Sequence, residues 1–136
     1  MSYKAAKGNP QRSDWLSNTE STKTVTLIGS AQNEWVIFNV DQANFYRVAY
    51  DETNYKLIAA DLLANHVNVP LKNRAQLLDD SFNLALANAV SYTSALDLTM
   101  YLKNEIEYVP WRSVLTELDY IDVMLSQSPE FADWKV

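Results

Sequence analysis

Trp35-Val36-Ile37-Phe38-Asn39, then Asp41-Gln42-Ala43-Asn44, then Phe45-Tyr46-Arg47-Val48-Ala49-Tyr50-Asp51 is the segment of this chain that says most about its architecture. Two runs rich in aromatic and β-branched residues flank a turn, which predicts neighbouring antiparallel strands over 35–40 and 45–50. Upstream, Lys23-Thr24-Val25-Thr26-Leu27-Ile28 places Val25 and Leu27 on one face and Thr24 and Thr26 on the other, the period of a half-buried strand. Gly29 to Asn33 supplies the turn between them. The short connections predict a three-strand meander over 23–51. Such a sheet has open edges, so it is expected to complete itself against the helices or against something outside the chain. Residues 1–22 are polar and aperiodic and are expected to form a flexible lead-in, with Trp15-Leu16 as a short anchor under the sheet.

At Asp51 the period changes. Tyr55, Ile58, Ala59, Leu62 and Leu63 fall on one helical stripe, with Asp51 and Glu52 at the start, where the helix dipole favours acids. Pro70 sits at the first position of a second helix reaching about Asn88. Ser91 caps a third helix expected to reach Ile106, and Pro110 opens a fourth whose face includes Trp111, Val114, Leu118 and Ile121. Ser128-Pro129-Glu130 begins a fifth. The helix starts recur at roughly 40 residues, the spacing of paired helices in an αα-superhelix of the HEAT or armadillo kind. The expected class is α+β: a small antiparallel meander over 23–51, then antiparallel helix pairs over 52–136.

Composition narrows the chemistry. The chain has 136 residues, no cysteine, one histidine and two glycines. That excludes a disulfide frame, a thiol nucleophile and a glycine-rich phosphate loop. From Asp51 onward six basic residues face thirteen acidic ones, which disfavours nucleic-acid and anionic-membrane partners. No apolar run approaches the ~20 residues of a membrane span, so no direct membrane insertion is expected and the chain reads as soluble. No asparagine begins an N-x-[ST] sequon.

Six linked elements carry a resemblance: Asn33-Glu34-Trp35-Val36, Tyr46-Arg47-Val48 with Tyr50-Asp51, Asn73-Arg74-Ala75-Gln76 with Asp80, Phe82-Asn83-Leu84-Ala85, Ala95-Leu96, and Tyr108-Val109-Pro110-Trp111. In their order and spacing, from about Trp15 to about Phe131, the chain resembles the aminopeptidase N family of zinc peptidases. The nearest likeness is to animal membrane alanyl aminopeptidases, insect gut enzymes included. The resemblance implies the end of a β-sandwich domain followed by the start of a helical C-terminal domain that closes over a peptide channel. It also implies a zinc-bearing parent enzyme at the cell surface or secreted, which removes N-terminal residues from peptides. The zinc motif H-E-x-x-H and the G-A-M-E-N loop of that family do not occur in this sequence. His66 is followed by Val67, and one imidazole cannot supply a two-histidine zinc helix. Two departures stand out. Asn44 replaces the family's usual glycine at a turn taken to need positive φ, and Ala49 replaces a usual asparagine.

No catalytic, cofactor-binding or metal-binding residue is therefore assigned, and the cofactor expected in this chain is none. The motif residues Trp35, Tyr46, Arg47, Tyr50, Asp51, Arg74, Asp80, Pro110 and Trp111 are read as structural. Asp79 and Asp80 point about 100° apart on a helix, so they do not form a proton-sharing dyad; Asp79 is expected in solvent and Asp80 bonded to a loop or an arginine. Arg47 is open between stacking or ion pairing and anion binding. Arg74 is expected to pair with Asp79, Asp80 or a strand carboxylate. His66 ends a helix, where a cation suits the dipole. Ser81 lacks an adjacent base. Trp35, Tyr46, Tyr50, Tyr108 and Trp111 are expected in the core.

The function expected is a non-catalytic part of an aminopeptidase N-like exopeptidase. Its partners would be the remaining domains of that enzyme, with self-association through uncapped last helices (Ile121, Met124, Leu125, Phe131) as a further expectation. The alternatives are a stand-alone helical-repeat binding module and, on the insect likeness alone, a recognition surface for foreign ligands such as bacterial toxins.

Overall fold

The computed structural model of the chain describes residues 1–12, 17–27 and 33–134. It is α+β, with a small three-strand antiparallel sheet and a helical remainder, as the sequence pattern predicts. The strands, however, match the prediction only in the run over 35–40. They are β1 (Ser2–Ala5), β2 (Gln11–Arg12) and β3 (Val36–Phe38), in the order β2-β1-β3 rather than a meander. β1 pairs with β3 through Tyr3 opposite Phe38, Lys4 opposite Ile37 and Ala5 opposite Val36. Tyr3 and Ala5 are buried, so the polar stretch read as a lead-in supplies the sheet's middle strand. Residues 23–27 carry no regular structure, and Val25 and Leu27 are only half-buried. The Trp15-Leu16 anchor and the turn from Gly29 to Gln32 lie outside the described residues.

Residues 45–50 likewise join no ladder, although their burial alternates strictly. Tyr46, Val48 and Tyr50 face inward, and Phe45, Arg47 and Ala49 face solvent. The period-two pattern is therefore real, but helices and side chains, not strands, meet the inner face. The positive φ expected at Asn44 falls instead on Asn39, Asp41 and Gln42 at 56°, 59° and 53°. Asn39 compensates with its amide, which bonds Asn44 from both sides: Asn44 N–H donates to Asn39 Oδ1 at 2.9 Å, and Asn39 Nδ2 donates to the Asn44 carbonyl at 2.8 Å.

Five α-helices follow among the described residues. α1 (Glu52–Asn65) starts at Asp51, whose carboxylate accepts the Asn54 N–H at 2.8 Å, and it buries Tyr55, Ile58 and Leu62. α2 (Leu71–Leu86) begins just after Pro70, which is the capping residue rather than the first helical one. It ends in a Schellman turn with asparagine in the left-handed position. Ala89 N–H reaches the Leu84 carbonyl at 2.8 Å and Asn88 N–H the Ala85 carbonyl at 3.0 Å. α3 is shorter than its stripe predicts: it runs Tyr92–Thr99 from the Ser91 cap, and the chain tightens into a 3-10 turn over Met100–Asn104. α4 (Tyr108–Leu125) starts two residues before Pro110, which still lies in the first turn, where no N–H is needed. α5 is Phe131–Trp134.

α1 packs on α3, and α2 packs on α4 and α3, the layering of an αα-superhelix. One core joins Trp35 and Ile37 of the sheet region to Ile58 and Leu62 of α1, Leu78 and Phe82 of α2, Leu98 of α3 and Val114 of α4. Among the described residues no helix is long and apolar enough to cross a membrane.

Candidate functional site

The polar residues singled out by the sequence converge on α2, which lies between the 39–48 loop, α3 and α4 and so buries polar as well as apolar faces. Buried polar groups must find partners, and here they find them in segments distant along the chain. Asn73 donates to the Asn39 carbonyl at 3.1 Å and accepts the Asp41 N–H at 2.8 Å. Gln76 donates to Asp80 at 3.2 Å and accepts from Asn73 at 3.1 Å. Asp80 accepts the Val48 N–H at 3.1 Å, and Arg47 lies 3.5 Å from it. Burial pushes the Asp80 carboxyl above its ordinary range; the Val48 and Gln76 hydrogen bonds oppose this. Asp79 stays partly in solvent and meets Arg47 at 3.4 Å.

Arg74 does not pair with Asp79, Asp80 or a strand acid. It reaches Glu105, with Nε 2.7 Å from Oε2 and Nη2 3.3 Å from Oε1, and its Nη1 donates to the Val69 carbonyl at 2.9 Å. Glu105 also accepts the N–H groups of Ile106 and Glu107, both at 3.1 Å, at the entry to α4. Burial alone would raise the Glu105 carboxyl, but the Arg74 and Glu107 hydrogen bonds, with the Arg74 charge, bring it below the usual range. His66 packs its ring 5.9 Å from Tyr101, with Nε2 4.0 Å from Glu105. Trp111 is half out of the core, its indole N–H bonded to the Glu105 carbonyl at 3.0 Å, and Tyr108 is exposed; neither is the core residue expected.

A second set fastens β3 to α1. The Asn54 amide pairs with both backbone groups of Val36, at 2.9 and 2.7 Å, as a neighbouring strand would. Phe38 N–H donates to the Tyr50 hydroxyl at 2.8 Å, and buried Trp35 donates to Asp61 at 2.8 Å beneath Lys4, whose Nζ lies 4.8 Å from the ring centre. Sequence reading missed Glu105, Asn39, Asn54 and Asn73.

A nucleophile with an adjacent base is not brought together in this seam. Nor do its residues fit zinc. Among the described residues no group of three or more His, Cys, Asp or Glu is placed to hold a metal ion, and Glu105 beside His66 is already engaged by Arg74.

A family model described as ERAP1-like C-terminal domain matches residues 35–136. The chain belongs to that family. The ERAP1-like match begins at Trp35, so it takes in the whole seam of Asn39, Asn54, Asn73, Arg74, Asp80 and Glu105. Aminopeptidase N of Bos taurus is 40% identical over 121 residues, covering 89% of this chain and 12% of that protein. Aminopeptidase N of Homo sapiens is 37% identical over 128 residues, 94% of this chain and 13% of that protein. Aminopeptidase N of the insect Plutella xylostella is 40% identical over 114 residues, 84% of this chain and 12% of that protein. This ERAP1-like chain thus spans 12–13% of the length of those relatives.

Proposed function

We propose that the chain is a non-catalytic, structural part of an aminopeptidase N-like zinc exopeptidase, which removes N-terminal residues from peptides. Within that enzyme it forms part of the domain that encloses the peptide channel, and its partners are the enzyme's remaining domains. The observation that carries the reading is how the polar seam is spent. Asn73, Arg74, Gln76 and Asp80 are engaged in bonds that tie α2 to residues 39–48 and to Glu105, leaving a scaffold rather than a reacting centre. The zinc and the peptide-binding groups belong, on this reading, to other parts of the longer protein, which works at the cell surface or is secreted.

A stand-alone repeat module is the less favoured reading. Such a module closes its ends with polar faces. Here α4 leaves Tyr108, Leu115, Val123 and Met124 in solvent, which favours covering by further helices or by a second copy. The test is direct: purify the chain, measure bound metal by mass spectrometry, and assay turnover of aminoacyl chromogenic substrates. No stoichiometric zinc and no turnover are expected; zinc-dependent cleavage would overturn the proposal.

A further inference from the structure

The second half of α2, the start of α3 and the second half of α4 enclose a cavity of about 210 Å³, whose lining includes Phe82, Asn83, Tyr92, Glu117, Tyr120 and Ile121. We infer that this cleft binds a guanidinium group, the side chain of an arginine carried by a peptide or protein segment from outside the chain. Such binding is separate from the scaffold role and stands without it. The volume far exceeds the ~10–15 Å³ that one water needs, so the cleft admits a side-chain head group. Phe82, 2% exposed, gives it an apolar floor. Tyr92 and Tyr120, 40% and 41% exposed, stand at its rim, where an entering cation can meet their rings.

Glu117 supplies the charge that the cation answers. It is half-buried, and Asn83 Nδ2, held on the Asp79 carbonyl at 2.9 Å, donates to its Oε1 at 3.1 Å. Among the described residues no hydrogen bond reaches its Oε2 and no base forms an ion pair with it. Burial and then the Asp79 charge push its carboxyl above the ordinary range, against the Asn83 bond and the Arg47 charge. Arg47 itself is taken up by Asp79 and Asp80 at 3.4 and 3.5 Å. The walls bring no base of their own: the sequence has none between Arg74 and Lys103 or between Arg112 and Lys135. One carboxylate among aromatic and apolar walls suits an organic cation, whereas a metal ion needs several hard donors. Guanidinium fits better than ammonium. It sheds water more readily, its plane stacks on tyrosine rings, and its fork matches a carboxylate. Thr116 does not compete for Glu117, because its hydroxyl donates to the Arg112 carbonyl at 3.1 Å.

The test titrates the whole chain with N-acetyl-argininamide, followed by residue-resolved NMR, beside the lysine and citrulline analogues. Saturable shifts confined to residues 82–86, 92 and 116–121 are expected, with a dissociation constant of about 1–10 mM. The neutral citrulline analogue should bind at least about tenfold more weakly, and the lysine analogue at least about threefold more weakly. Glu117→Gln, which keeps the shape, should weaken arginine binding at least about tenfold, and Tyr120→Leu about threefold. Circular dichroism checks that each variant is folded, and Tyr92→Leu takes the place of Tyr120→Leu if the latter is not. Equal binding of the citrulline analogue, full affinity in Glu117→Gln, or shifts that fail to saturate or that scatter over the acidic surface would overturn the inference. Equal binding of the lysine analogue would overturn the assignment of guanidinium.

Discussion

Replacing Glu105 with glutamine should cost the fold about 3 kcal/mol, and the figure follows from how the pair is built. Glu105 is buried and takes two bonds from Arg74, at 2.7 and 3.3 Å, and two from backbone N–H groups at 3.1 Å. Glutamine keeps the size but turns one acceptor into a donor facing a guanidinium. Charge-assisted hydrogen bonds contribute about 1.5–3 kcal/mol each, and stranding one member of a buried pair costs about 3–5 kcal/mol. The Val69 and His66 carbonyls still accept from Arg74, which places the loss at the lower end. With a urea slope near 1.5–2 kcal/mol/M, the unfolding midpoint should fall by about 1.5–2 M. Arg74→Met alone should cost a similar amount. The double variant Arg74→Met with Glu105→Leu should recover much of it, and in a cycle closed by the single variants Arg74→Met and Glu105→Leu the coupling energy should exceed about 1.5 kcal/mol. The pH dependence carries its own sign. The folded-state pKa of Glu105 lies below its ordinary value of 4.5, so its contribution is whole above that value and is lost as pH falls through the lowered pKa. Glu105→Gln should flatten that acid limb. A loss under 1 kcal/mol, or strict additivity of the two single variants, would refute the reasoning.

Three further outcomes are expected. Asp80→Ala should lose about 1–3 kcal/mol by stripping the Val48 N–H of its acceptor, and Asp80→Asn less. Because the folded Asp80 pKa is raised above its ordinary 3.8, its favourable contribution is lost as pH climbs, so Asp80→Asn should cost less at pH 7 than at pH 3; urea melts at the two pH values decide. Asn54→Ala should cost about 2 kcal/mol and speed exchange of the Val36 amide, whereas unchanged exchange would show the amide bridge to be dispensable. Leu78→Ala, at a fully buried α2 position, should cost about 2–5 kcal/mol in thermal or urea melts.

The helices were legible because their apolar residues repeat at three and four, and local caps such as Asp51 and Ser91 mark their starts. The strands were not, because pairing is decided across the chain. Ser2–Ala5 has no strand signal of its own and becomes β1 only by meeting Val36–Phe38. Residues 23–27 have the signal yet belong to no strand, because a period of two shows a face and not a neighbour. The seam shows the same split. Arg74 and Asp80 were visible as ionisable residues on a helix, but their mates, Glu105 and the Val48 N–H, lie about thirty positions away. Spacing along one helix cannot reveal them. Pro110 was read two positions too near the helix start, since proline suits the whole first turn and not its first residue alone.

The concentration of buried polar groups on α2 bears on how the chain assembles. Asn73, Arg74, Gln76 and Asp80 lie within eight consecutive residues, yet their bonds extend to Asn39, Asp41, Val48 and Glu105. A half-built molecule, with the helices docked and the 39–48 loop astray, would strand uncompensated polar atoms in a dry interior. Such intermediates are disfavoured from both directions, so ordering should be all-or-none, with fluorescence and circular dichroism tracing one coincident transition.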